Sequence, residues 1–141
     1  MSDITTDLQA QRKEELGRHF QELVSTSDGL HAAMLSDREG VQLTMAQGPD
    51  LPQDIIDPTL NATFSSTSGH ASKLGIGKNH TITTLYGMYQ VIQTASRGDS
   101  PGQLVITLIA EASANTGMLI DLAERLAEAI RPFSEALGEV E

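Results

Sequence analysis

Cysteine is absent from the chain, so neither a disulfide framework nor a thiolate metal site can form. Long apolar runs are absent too. None approaches the ~20 residues that span a bilayer, and the opening "MSDITTDLQAQRKEELGRHF" is too polar for a secretory signal. Basic residues are scarce, with nine Lys and Arg against nineteen Asp and Glu; the net charge of −10 repels phosphate backbones and anionic headgroups. These shortages argue against a secreted disulfide module, direct membrane insertion and nucleic-acid binding, and an intracellular protein is expected. In that setting the sequons Asn61-Ala62-Thr63 and Asn79-His80-Thr81 carry no weight.

What is present suffices for one core. A chain of 141 residues suits a single domain over 1–141, its core expected at about 7–137. At that size roughly two-thirds of the unfolded surface is buried on folding, and no staple is required.

From Asp7 to about Thr26 no proline interrupts a charged segment carrying Leu16, Phe20, Leu23 and Val24 at helical spacing, which predicts an amphipathic helix with a narrow stripe. "SDG" at Ser27 to Gly29 ends it. "LHAAMLSDREGVQLTMA" then predicts two strands joined by Asp37-Arg38-Glu39-Gly40, a type I turn closed by a glycine able to take positive φ. Gly48-Pro49 and Pro52 mark a loop. Asp57 as N-cap and Pro58 in the first turn predict a second helix, with Leu60, Phe64, Ala71 and Leu74 roughly along one face and Gly75 as its stop. Its composition is odd: Asn61, Thr63, Ser65, Ser66, Thr67, Ser68 and Gly69 are all poor helix formers, leaving an irregular polar loop as the alternative. If helical, it is held by packing, and its small side chains let a partner approach closely.

"HTITTLYG", "MYQVIQTAS" and "QLVITLIAE" predict three more strands, with Gly87 in the first connection and Arg97 to Gly102 as the second. Leu119, Leu122, Leu126, Ile130, Phe133 and Leu137 recur every three or four residues in a last helix that Asn115 or Ser113 can cap and Pro132 should kink or end. The order αββαβββα argues for an α+β domain on one mostly antiparallel five-stranded sheet.

Candidate chemistry fails on inspection. In "SKLGIGKNHT" a P-loop would need glycine at Ser72 and a hydroxyl at Asn79, and it would run from strand into helix, not from helix into strand. Gly75 and Gly77 without a third glycine at His80 fall short of a dinucleotide fingerprint. The loop reads as a helix stop at Gly75 and a turn at Gly77. His19, His31, His70 and His80 lack metal-ligand spacing, and no nucleophile-elbow pattern supports a triad through Ser68 and His70. Arg97-Gly98-Asp99 reads as a hairpin tip. Neither catalysis nor a cofactor is expected, and an interaction module is the default.

Taken in order, "GLHAAMLSDREGV", "SKLGIGKNHTI", "YQVIQ", "ASANTG" and "LIDLAERLAEAIRPF" resemble the MEK-binding roadblock subunits of the Ragulator complex, a late endosomal and lysosomal adaptor in MAPK and mTOR signalling. The likeness runs from about Leu16 to Phe133. It implies a roadblock-like fold: a five-stranded antiparallel sheet with one helix on one face and two on the other. It also implies a heterodimer with a second roadblock subunit, formed through Leu60, Phe64, Ser68 and Ala71 of the middle helix and Thr81, Thr83 and Leu85 of the strand after it. The implied role is non-catalytic scaffolding: tethering MEK and ERK kinases and supporting Rag GTPase and mTORC recruitment. Its implied place is the cytosolic face of late endosomes and lysosomes, reached through partner subunits. Two departures stand out: "SRGDSPGQ" lengthens the last strand connection, and Gly77 replaces a frequent serine. Asp121, Glu124 and Glu128 read as a solvated helix face. The alternatives are a homodimeric roadblock regulator of a small GTPase or dynein, and a small-ligand-binding domain.

Overall fold

The computed structural model describes residues 2–37, 39–49, 51, 59–96 and 103–131. The elements run α1 (Ser2–Thr26), β1 (Leu30–Asp37), β2 (Gln42–Gln47), α2 (Thr59–Ala71), a 3-10 turn (Ser72–Leu74), β3 (Thr81–Leu85), β4 (Tyr89–Ala95), β5 (Leu104–Glu111) and α3 (Thr116–Ala129). This is the expected order. All strand pairs are antiparallel, in the sheet order β2-β1-β5-β4-β3.

Strand position explains strand composition. β5 is central and buried on both faces, so "LVITLIAE" is apolar almost throughout and does not alternate. On one face Leu35, Ile92, Leu104, Ile106 and Leu108 meet Phe20 and Val24 of α1 and Leu119, Ala123, Leu126 and Ile130 of α3. Complete burial of Phe20 contributes about 2–3 kcal/mol, a large share of what anchors so polar a helix. Leu16 and Leu23 are only half-buried, in keeping with the narrow stripe. The opposite face carries α2 at one end, where Phe64 packs on Ile82, Ala95 and Val105, and Leu51 at the other, against Ala32, Val91 and Ile109. Two helices therefore cover one face and one covers the other, as the resemblance implies.

The local signals also hold, with some shifts of boundary. α1 begins at Ser2, earlier than Asp7, since no glycine or proline intervenes to stop it. In the β1–β2 turn Asp37 Oδ1 accepts from the N–H of Glu39 and of Val41, both at 2.9 Å, and Gly40 takes φ +98°. The middle segment is a helix despite its composition, and Gly75 stops it in the left-handed conformation. Leu74 does not share the inward face with Phe64, because the 3-10 turn rotates it outward to 71 % exposure. Asn115 caps α3 by accepting from the Met118 N–H at 3.1 Å. The Asp57-Pro58 start of the middle helix, the Arg97–Gly102 connection, and Pro132, Phe133 and Leu137 lie outside the described residues.

Candidate partner interface

β3 is an outer strand, hydrogen-bonded to β4 alone among the described strands. The ladder decides which backbone groups it leaves open. Tyr86 N–H donates to the Tyr89 carbonyl at 2.8 Å, and Ala95 N–H to the His80 carbonyl at 3.1 Å. Bonded and non-bonded pairs alternate in an antiparallel ladder, so Ile82 and Thr84 are the residues bonded to β4. Thr81, Thr83 and Leu85 turn their N–H and C=O groups to the open side, where the Thr81 carbonyl accepts from the Asn79 side-chain amide at 3.5 Å. These are the three strand residues assigned to the interface from the resemblance.

α2 lies beside this edge. Its inner side is fixed: Phe64 is 3 % exposed within the chain itself, and Ser68 is buried with its hydroxyl donating to the Asn79 carbonyl at 3.3 Å. The Ser72 hydroxyl donates to the Ser68 carbonyl at 2.9 Å and accepts from Asn79 N–H at 3.0 Å, tying the helix end to the approach to β3. Outward lie Thr63, Ser66, Thr67, Gly69 and His70, all exposed, and the Gly69 position has open space where a side chain would stand. Ala71 is half-buried. Leu60 sits in the first turn of α2, and its side chain lies outside the described set. The seven expected residues thus share one side of the molecule but differ in role: Phe64 and Ser68 seat the helix, while Thr81, Thr83 and Leu85 present backbone.

Apart from Leu85, sequence reasoning missed the exposed apolar groups near this side. Leu85, Tyr86 and Met88 stand out around the β3–β4 turn, and Leu74 and Ile76 stand out after α2. The signal available was their place beside glycines, where the chain turns away from its own core.

The motifs behind the resemblance prove to be clamps. Gln90 of "YQVIQ" is completely buried. Its amide donates to the carbonyls of Glu111 at 3.0 Å and Ala114 at 2.9 Å, and its oxygen accepts from the Thr116 hydroxyl at 2.7 Å. It therefore grips "ASANTG". Gly29 takes φ +81° against the same turn, where an added Cβ would stand 3.0 Å from the Ala114 Cβ. In "SKLGIGKN" the loop runs from helix into strand, with Gly75 and Gly77 at φ +77° and +114° and Ser72 bonded to Asn79 as above. On the far side of the sheet, Arg125 pairs with Asp121 at 2.9 Å and Arg131 with Glu128 at 3.7 Å, all well exposed, which suits a solvated face.

Comparison with known proteins gives this arrangement a context. The family model described as "Mitogen-activated protein kinase kinase 1 interacting" matches residues 14–137. Ragulator complex protein LAMTOR3 of Homo sapiens is 34% identical over 127 residues, covering 90% of this chain and 95% of that protein. Among solved structures, a Roadblock/LC7 domain from Streptomyces avermitilis aligns with TM-score 0.65 at 15% identity, over 83% of this chain and 95% of that one. MglB in a tetrameric arrangement aligns with TM-score 0.68 at 18% identity, over 89% of each chain. The structural likenesses establish a roadblock fold. On the span of the family match and the identity to curated relatives, the chain belongs to the mitogen-activated protein kinase kinase 1 interacting family.

Proposed function

We propose that this chain is a non-catalytic Ragulator roadblock subunit that pairs with a second roadblock subunit through the outer side of α2 and the open edge of β3. The heterodimer holds MEK and ERK together, raising the effective concentration of each for the other without chemistry of its own. Within the complex it supports Rag GTPase and mTORC recruitment on the cytosolic face of late endosomes and lysosomes. No described helix is long and apolar enough to cross a membrane, so this reading assigns attachment to partner subunits.

The observation that carries the reading is the β3 edge, whose outward N–H and C=O groups at Thr81, Thr83 and Leu85 match what strand addition requires. Small residues on α2 leave room for a facing helix at close distance. Left unpaired, such an edge is a template for aggregation, a physical reason for constant pairing.

Mass by light scattering tests this, on the full chain alone and with a Ragulator roadblock subunit. A stable one-to-one heterodimer is the expected result. A homodimer indifferent to that partner would move the reading to the GTPase or dynein regulators, and an indifferent monomer would end it.

A further inference from the structure

The charge of this chain is sharply partitioned along its length. All nineteen acidic residues fall outside residues 58–98, a stretch that includes Lys73, Lys78 and Arg97. That acid-free stretch holds α2, β3 and β4, the side on which pairing is proposed. Within it the turn after α2 presents two bare aliphatic side chains, Leu74 at 71 % exposure and Ile76 at 86 %. Exposed Lys73 and Lys78 flank them. The positive φ of Gly75 and Gly77 gives the turn its shape, and the Ser72 hydroxyl ties it by bridging the Ser68 carbonyl and the Asn79 N–H.

Two apolar side chains held out into water on a turn whose backbone is already tied are poised for a contact, because less backbone freedom remains to be lost on binding. The surface that matches them combines an apolar pocket with a carboxylate rim. We propose that the Lys73–Lys78 turn is a docking knob for an acidic partner subunit and sets the choice of that subunit over a second copy of this chain. The inference rests on the pairing reading above, since the turn continues directly from α2 into β3. In a symmetric pair through the same side, a second copy brings Lys73 and no carboxylate from its own 58–98 stretch, so the turn meets no answering charge there. An acidic roadblock subunit meets the same turn with complementary charge, which steers association and rejects the wrong partner. A lipid surface is the weaker fit: two lysines contribute only about 1 kcal/mol each near anionic lipid, against the repulsion of a chain at −10.

Isothermal titration of the full chain against a Ragulator roadblock subunit, at low and at physiological salt, separates the possibilities. Pairing should weaken with salt. Lys73→Glu should weaken it about tenfold and flatten the salt dependence, as expected when one charge contact is reversed. Leu74→Ser with Ile76→Ser should weaken it by at least about tenfold with the salt dependence kept, as expected when buried anchors are removed. Both variants alter exposed positions, so their thermal melting should match wild type. If wild type pairs and the variants pair equally well, the knob is overturned and the pairing reading stands. If wild type does not pair, both fall. Loss of binding to phosphatidylserine vesicles in the variants, with partner pairing intact, would overturn the inference in favour of lipid.

Discussion

Gln90 shows how much of a fold one buried amide can hold. Replaced by leucine, it would leave the Ala114 carbonyl and the Thr116 hydroxyl without this partner, while the Glu111 carbonyl keeps the Ala114 N–H at 3.1 Å, and each polar group orphaned away from water costs about 1–3 kcal/mol. Gln90→Leu should therefore lose at least about 2 kcal/mol in urea unfolding of the isolated chain, and an unchanged midpoint would mean the clamp is idle. From sequence the position is legible only as a polar residue in an apolar strand; its partners come from a loop more than twenty residues away. Phe64 gives the same lesson in reverse. Its helical spacing marks it as a face residue, but spacing does not say whether that face meets the chain's own sheet or another protein. Packed on Ile82, Ala95 and Val105, it seats α2 on the chain's own sheet. Phe64→Asp should then lower the stability of the isolated chain by about 3–5 kcal/mol, from a lost core side chain and a buried charge, before any partner is added. A variant that melted normally and failed only to pair would place Phe64 in the interface instead.

β3 and α2 behave as elements whose sequence makes sense only with their surroundings. The strands of the centre were legible because burial on both faces selects unbroken Val, Ile and Leu, whereas α2 reads as a poor helix because propensity carries no record of what lies against it. The ladder register makes β3 separable by mutation. Thr83 points its N–H to the open side and Thr84 points its own to β4. Thr83→Pro should spare the isolated chain and abolish strand addition, while Thr84→Pro should destabilise the chain itself, since proline removes a donor in both cases but a ladder bond only in the second. Melting temperature and heterodimer mass, read side by side, distinguish the two. Equal melting of both variants would refute the register argument. For α2, Gly69→Ala fills open space in the helix and should raise stability by about 0.5–1 kcal/mol in urea unfolding.

At the scale of the whole molecule, the sheet separates two unlike sides. α1 and α3 cover one face and carry Asp121, Glu124 and Glu128; the other face carries α2 and runs out to the bare edge of β3. The αββαβββα order was legible because each element announces itself by periodicity or by glycine and proline punctuation. The difference between the sides was not, because it depends on the strand order β2-β1-β5-β4-β3, in which the third strand ends up outermost. The proposed scaffold role needs this division, since a subunit that used one surface for both pairing and cargo could not hold them together. Amide hydrogen exchange on the full chain tests it. On adding the roadblock partner, protection should rise in α2, in the Lys73–Lys78 turn and at Thr81, Thr83 and Leu85, whose N–H groups face the open side, and should stay unchanged in α1 and α3. Protection spreading evenly through α1 and α3 would mean that pairing engages the helical layer as well, leaving no free side for a third protein.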